Sequence, residues 1–415
     1  MNNSVSPYVL DVNGSDVYAE AAALRERGDV TRVEFCGIGG WAITSHTLLE
    51  RVLEDPRISR DPRLHWPAWI NGEIPQEWPL FTWFDARNMF TTYGSEHQRL
   101  RRDVAKTLTV RLVDELRPRI AEIISEVLDA LPTGPGVVDL ASGYAAEIPI
   151  RVFCELIGIT DVQVRDGMCR CVKSLFNTSA TAEEVTATHS EIHFIINALI
   201  AEKKKDPGED LASALIAAQA EEGDSSLTEE ELVGTMIVLM MGGYETTANL
   251  LGNAIYALLM HPTQLEYVRS STISWDDVIE ETLRALPSVA SLPLRFAVED
   301  LELGGVTIRK GDAIIAALAA AGRDSQFYGP DANKFDATRA NKKHLAFGHG
   351  SHLCLGAKLA RVEAALALPP LFEKYPRIKL ATPADQLKPI SSFIINGFQA
   401  LPVILNDDFR VGSQD

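Results

Sequence analysis

Cysteine is scarce in this chain: five residues in 415, Cys36, Cys154, Cys169, Cys171 and Cys354. So sparse and odd a set argues against a disulfide framework and fits a reducing compartment. Cys169 and Cys171 are two apart, which is not a Cys-x-x-Cys redox or zinc pair. Positive charge is short as well. Lys and Arg number 39 against 57 Asp and Glu, a net charge of −18, and such a chain repels phosphate backbones, so nucleic acid is not an expected partner. The first residues lack the basic and apolar regions of a secretory leader, so the expected location is cytoplasmic. Internal repeats and low-complexity segments are absent too. Hydrophobic residues at 46% against 23% charged exclude global disorder and supply a large core.

What the chain does have is concentrated near its C-terminus, in Phe347-Gly-His-Gly-Ser-His-Leu-Cys354-Leu-Gly356, just ahead of an amphipathic helical stretch, Ala357 to Leu368. A helix N-terminus offers free backbone N–H groups that lower a cysteine's pKa and hydrogen-bond its sulfur, so Cys354 is expected to be an anion. Gly348, Gly350 and Gly356 let the backbone turn tightly and let a flat, bulky group approach. A buried structural cysteine in a Gly-rich loop is the plainer reading of the run taken alone. The run resembles the haem-ligand signature of the cytochrome P-450 superfamily, Phe-x-x-Gly-x-x-x-Cys-x-Gly, at every fixed position.

A second feature is a long apolar run. Thr228-Glu-Glu-Glu231 has the form of a capping box, and from Leu232 to Met260 the only carboxylate or basic side chain is Glu245. The length would suit a membrane span, but Gly242-Gly-Tyr-Glu-Thr-Thr-Ala-Asn249 at its centre suits lipid poorly and no basic anchor flanks it. A core helix over 228–260, crossing a large domain, is therefore expected. Its two interior glycines and mid-core carboxylate are costly, and such concessions mark a site. The segment resembles the superfamily's oxygen-activation motif, Ala-Gly-x-Asp/Glu-Thr-Thr, with Gly242 replacing the usual alanine and Tyr244 standing where histidine is common. That likeness makes Thr246 the distal alcohol and Glu245 the neighbouring acid, a pair that could relay protons as dioxygen is activated. A local kink with a threonine-to-backbone bond is the structural alternative.

The remaining pattern reads as mainly α with small β-sheets. Asp16 to Arg27 and Ser45 to Glu54 read helical, with a hairpin between Arg32–Phe35 and Trp41–Thr44. Helical signals dominate from Ser95 to Leu283, broken at Pro132 to Pro135, Asp206 to Asp210 and Gly223 to Ser226. Strands follow at Leu294–Val298, Leu301–Ile308 and Ala313–Ile315. Residues 55–94 hold Trp66, Trp69, Trp78 and Trp83 among several prolines and read as a lid over an apolar pocket. Gly37-Ile-Gly-Gly-Trp-Ala42 fits a dinucleotide fingerprint but lies in strand-like sequence where a helix is required, so a hairpin turn is the better reading. His189 and His193 lie one helical turn apart. No third ligand is evident in the sequence, Glu191 is misplaced for a His-Glu-x-x-His site, and a solvated helix face is expected there.

Further likenesses complete the resemblance, which runs from the Ser45 helix to the terminal strands and is closest to actinomycete-type bacterial members. Glu281-Thr-Leu-Arg284 resembles the family's Glu-x-x-Arg pair, with Arg339 as its structural partner. His97, Arg101, Arg295 and His349 look like its contacts to the haem propionates. Positions resembling its pocket lining are Met89, Phe90, Leu239, Gly242, Val289, Ala290, Phe393 and Ile394. The resemblance implies one haem-thiolate monooxygenase domain over 1–415, with the cysteine loop at 347–356. It also implies haem b as cofactor, with Cys354 as iron ligand and Phe347 and Gly356 shaping its loop. Activity would be insertion of one atom of O2 into a C–H bond of a medium-sized hydrophobic natural product, a macrolide, steroid or terpenoid. Electrons would come from NAD(P)H through a ferredoxin-type donor and its reductase, and a monomer without membrane attachment is expected. The basic clusters Arg99, Arg101, Arg102, Lys106 and Lys342, Lys343, Lys358, Arg361 would form the docking patch if they meet in space. Three readings stand beside this one: oxidative coupling of aromatic substrates such as cyclic dipeptides, for which the Trp-rich lid is suited; a non-enzymatic haem sensor; and a hydrolase with Cys354 as nucleophile.

Overall fold

Helix-forming sequence between residues 94 and 285 sets the architecture. The computed structural model describes residues 6–132, 134, 136–220 and 227–406. Within these, ten helices occupy the middle of the chain, from Gly94–Thr107 to Trp275–Ala285. Three of them open with complete capping boxes, Thr181 with Glu184, Thr228 with Glu231 and Ser274 with Asp277, so each first turn has its orphan N–H groups satisfied. The expected break at Gly223–Ser226 lies outside the described residues, and that at Pro132–Pro135 lies partly outside them. Among the described residues, no helix is long and apolar enough to cross a membrane.

The small sheets flank this helical body. In the larger one, Val30–Phe35 and Ile38–Ile43 form the expected hairpin, turning through Cys36 and Gly37 at φ 45° and 78°. The dinucleotide-like glycines are therefore turn and strand residues. Gly40 lies so close to its neighbour that an added Cβ would sit 2.7 Å from the Ala313 carbonyl oxygen. The strand Leu292–Ala297 runs antiparallel to both Ala313–Ala316 and Ile58–Ser59. Pairing of Ser59 with Phe296 brings Arg60 beside Arg295, and Arg60 donates to the Pro293 carbonyl at 3.3 Å. The single strand expected at Leu301–Ile308 is a hairpin, folded at Gly304 and Gly305 with φ 56° and 79°.

Two expectations need correction. The helix expected over 228–260 is two helices, Glu229–Gly243 and Glu245–Met260, separated by Tyr244 at φ −137°, ψ −39°. Gly243 explains the break in part: a Cβ there would lie 2.2 Å from the Phe153 ring, so the backbone packs directly on an aromatic face. The second correction concerns residues 55–94. Three short helices, Pro62–His65, Pro67–Ile70 and Phe81–Asp85, structure this segment. Its tryptophans turn inward: Trp66 contacts Trp69, Trp78 and Phe296, while Trp78 and Trp83 donate their indole N–H to the carbonyls of Cys36 and Leu175 at 3.0 Å. They are core ballast for the lid and do not line a pocket.

The Glu281–Arg284 pair is fully buried and bidentate, at 2.7 Å for both contacts, and Arg284 also donates to the carbonyls of Gly322, Ala332 and Lys334. Arg339 lies 3.7 Å from the same carboxylate and donates to the Tyr328 and Asp331 carbonyls. All five N–H groups of Arg284 are engaged, while Arg339 Nε has no hydrogen-bond partner, and the network pins the segment leading to the cysteine loop. The helix Ala357–Lys374 that follows that loop buries Glu363, whose Oε2 has no hydrogen-bond partner. Burial pushes this carboxyl up to about 8. Since the folded state holds the proton more tightly than the unfolded chain, stability falls as pH rises from the ordinary carboxylate range to about 8 and then levels off. Glu363→Gln removes that penalty. In thermal melts across pH 5 to 9, the variant is expected to gain on the wild type as pH rises, by on the order of 3 kcal/mol near pH 8; a gain independent of pH would show that the carboxyl is not what titrates.

Candidate active site

Between the cysteine loop and the interrupted helix pair lies a cavity of about 280 Å³. One wall is Phe347, Gly348, Cys354 and Gly356; the opposite wall is Gly242, Gly243, Thr246 and Thr247. The cysteine loop closes on itself through Cys354 N–H donating to the Phe347 carbonyl at 2.9 Å. Gly348 and Gly350 take φ of 74° and 67°, a region L side chains avoid, and a Cβ on Gly350 would meet the Leu53 carbonyl oxygen at 2.9 Å. Burial pushes the Cys354 thiol up, against the backbone N–H groups of Gly356 and Ala357 and the guanidiniums of Arg101 and Arg361, which lower it. The helix N-terminus thus points at sulfur as expected, but burial outweighs it. A cation bound to the sulfur would favour its thiolate form.

One edge of the cavity is a concentration of positive charge. Arg60, Arg101, Arg295 and His352 line it, and His97 stacks on His352 with ring centroids 3.9 Å apart. Among the described residues, no carboxylate forms an ion pair with any of the three arginines. Arg60 Nε, Arg295 Nη1 and His97 Nε2 are buried without hydrogen-bond partners. Burial depresses Arg60, with Arg295 adding to it, and brings Arg295 down to about 10. Burial also holds His97 down at about 4, helped by Arg101 and Arg60, and holds His352 well below the usual histidine range, helped first by Arg60. Such a group of mutually repelling donors is a receptor for a ligand carrying more than one negative charge.

The sequence reading found part of this. Arg101 and Arg295 are where it expected them, but His349 is engaged by Glu54 at 2.6 Å and lies outside the cavity lining, while His352, three residues on, faces in. Arg60 was missed. It sits in a polar stretch with no local signal, and only the strand register brings it to Arg295. Of the expected pocket residues, Met89, Phe90, Leu239, Gly242 and Val289 line the cavity. Ala290, Phe393 and Ile394 do not; they are buried behind it, where Ala290 N–H donates to the Ile394 carbonyl at 2.7 Å and Phe393 packs on Phe35. Thr246 lines the cavity and its hydroxyl donates to the Gly242 carbonyl at 3.3 Å, across the helix break. The kink and the exposed alcohol, alternatives in the sequence, are both present. Glu245 is buried outside the lining with its carboxylate accepting from Asn249 at 3.2 Å, and burial pushes it up.

The cytochrome P-450 family model matches residues 168–271 and 275–395. The chain belongs to the cytochrome P-450 family. It is 40% identical to a 2-hydroxy-5-methyl-1-naphthoate 7-hydroxylase of Streptomyces carzinostaticus over 96% of this chain and 97% of that protein. It is 35% identical to the 6-deoxyerythronolide B hydroxylase of Saccharopolyspora erythraea, over 94% and 96%. Among solved structures, CYP154A1 from Streptomyces coelicolor superposes with a TM-score of 0.91 at 43% identity, covering 96% of this chain and all of that one. A testosterone-bound CYP154C4 from a Streptomyces species gives 0.92 at 39%, over 97% and 99%.

The protein is thus a cytochrome P-450 monooxygenase with haem b as cofactor, and the cavity fits that group on its own evidence. Cys354 would supply the sulfur for iron, glycines on both walls leave room for a planar ring, and the unpaired donors would suit two propionates. Replacing Arg295 or Arg60 with alanine removes one charge-assisted contact, worth about 1.5–3 kcal/mol. Haem transfer to an excess of an apo acceptor protein is expected to be at least tenfold faster in either variant, with the Soret position unchanged; an unaltered rate would show that these guanidiniums do not hold the propionates.

Proposed function

We propose that this enzyme hydroxylates a neutral, medium-sized hydrophobic natural product of macrolide, steroid or terpenoid type, in the cytoplasm. NAD(P)H would supply the electrons through a ferredoxin and its reductase. The observation that carries the substrate class is the distribution of charge in the cavity: all its charged side chains belong to the edge cluster of Arg60, Arg101, Arg295 and His352. The part between Met89, Phe90, Leu239 and Val289 offers apolar surface and no counter-charge, so a ligand carboxylate there would lose its hydration without repayment. The relatives named as hydroxylases of 2-hydroxy-5-methyl-1-naphthoate and of 6-deoxyerythronolide B, and the testosterone in a structural neighbour, span the candidate chemistries. Charge favours the neutral ones.

Haem bound through Cys354 supplies the activation of dioxygen and insertion of one oxygen atom into a C–H bond. The chain's own contribution is proton handling and space. Thr246 presents its hydroxyl to the cavity and can turn from the Gly242 carbonyl to donate into it. Behind it, Glu245 is a buried acid with raised affinity for its proton, held by Asn249, and is suited to resupply that hydroxyl through solvent. Gly242 has open space where a Cβ would point, so the wall beside the threonine is one methyl group wider than alanine would leave it. The coupling alternative loses its motive, since none of the four tryptophans of residues 55–94 lines the cavity. The electron-donor surface is less basic than the sequence implied. Lys342, Lys343, Lys358 and Arg361 each form an ion pair, with Asp277, Glu50, Asp114 and Glu280.

The test is a spectral titration followed by turnover under isotopically labelled O2. Testosterone and a macrolactone are expected to shift the Soret band at concentrations at least tenfold below those needed for a hydroxynaphthoate, and the product should carry one labelled oxygen. Preference for the acid would overturn the neutral-substrate reading, and a product with no new oxygen would favour coupling. Thr246→Ala is expected to lower product formed per NAD(P)H by roughly tenfold or more, with haem content and the reduced carbon monoxide spectrum intact. Unchanged coupling would remove Thr246 from the mechanism.

A further inference from the structure

The histidine pair that the sequence left without a third ligand acquires one in the fold. Asp85, the last residue of the short helix Phe81–Asp85, faces His189 and His193 on the helix Ala182–Lys205, and one ligand atom from each lies within 4.8 Å of the others. His189 Nε2 is 3.9 Å from the Asp85 carboxylate. Its other nitrogen, Nδ1, is 3.2 Å from the hydroxyl of the buried Thr82, which fixes the ring and leaves Nε2 free to face the acid. That arrangement, with the remote ring nitrogen anchored by a hydrogen bond, is how imidazole ligands are commonly held for a metal. His193 Nε2 is shielded from water and has no hydrogen-bond partner. Its ring lies 4.6 Å from that of His189.

We propose that Asp85, His189 and His193 form a zinc site, with water as a fourth ligand, that staples the cavity-covering segment to the long helix. Two imidazoles and a carboxylate suit Zn²⁺, and exposure of Asp85 gives the ion a path in. Tetrahedral ligation requires ligand atoms about 3.4 Å apart, so the three side chains close by roughly 1 Å on binding. The consequence follows from chain connectivity. Met89 and Phe90, which line the cavity, are four and five residues beyond Asp85 on the same segment, and among the described contacts His189 meets that segment through Thr82 and the edge of Phe81. A metal bridge across this junction restrains the segment that ligands must displace to enter.

The experiment uses the holoenzyme, freed of metal by chelator and exchanged into a non-coordinating buffer. Calorimetric titration with zinc chloride is expected to show one equivalent bound at micromolar or lower concentration. His193→Ala and Asp85→Asn should each weaken it at least tenfold, whereas His261→Ala should leave it unchanged; the Asp85 variant is nearly isosteric at an exposed position and guards against misfolding. Stopped-flow binding of 4-phenylimidazole to the haem iron should slow severalfold when zinc is present in the wild type and not in His193→Ala. Absence of a stoichiometric binding phase, or variants that bind zinc as the wild type does, would overturn the site. Zinc bound at these residues without change in the association rate would overturn the staple.

Discussion

Three guanidiniums crowded at one edge of a buried cavity repel one another, and the polypeptide gives them no ion pair among the described residues. This constraint organises the rest of the site. A fold that keeps Arg60, Arg101 and Arg295 desolvated and charged does so only with counter-charge from a bound group, and the two carboxylates of haem b meet that demand. Burial, which depresses each of these groups, is also what makes them selective. In water the same donors would bind any anion weakly; desolvated and held on three different elements, they reward only a ligand that brings its charges to the right edge.

The same logic applies to sulfur. Helix dipole and backbone N–H groups favour the Cys354 thiolate, burial opposes them, and a cation bound to the sulfur would add to the favourable side. Negative sulfur and positive edge are thus both incomplete in the protein alone and complementary to one ligand. The space between walls is set by packing that tolerates no side chain: Gly243 against Phe153 on one side and Gly350 against the Leu53 backbone on the other. Breaking the helix at Tyr244 lets the distal wall bow while Thr246 stays at its surface, and the Thr246 to Gly242 bond ties the two helix ends together across the gap.

Features encoded by local chemistry were legible in the sequence. The cysteine loop, the capping box at Thr228, the Cys36–Gly37 hairpin and the Glu281–Arg284 pair all depend on residues a few positions apart. Features that depend on register or on the direction a side chain takes were not. Arg60 reaches Arg295 through a two-residue strand, and no pattern near Arg60 announces it. His349 and His352 share one glycine-rich loop, and only its positive-φ turns decide that the second faces the cavity and the first faces Glu54. Residues 55–94 read as a lid on their aromatic content, which marks burial without saying whether the buried side meets ligand or core, and the tryptophans meet core. Ala290, Phe393 and Ile394 failed for the same reason, as apolar residues one layer too deep.

The substrate end of the cavity differs in origin from the haem end. Its distal wall is a helix buried in the main core, whereas its cover is a run of short helices fastened by aromatic packing: Trp66 on Phe296, Trp83 on Phe176, Phe90 on Trp83. Phe90 also lies under the Arg60 guanidinium, 3.5 Å from ring centre to charge, so a cavity-lining side chain is coupled to the charged edge. The cover is therefore held from two sides, by Phe90 under Arg60 and by its attachment to the helix Ala182–Lys205 near His189. Since the distal wall packs directly on Phe153 at Gly243, where a side chain has no room, differences in substrate choice among chains of this architecture have more room to arise in the cover than at that point of the helix behind it.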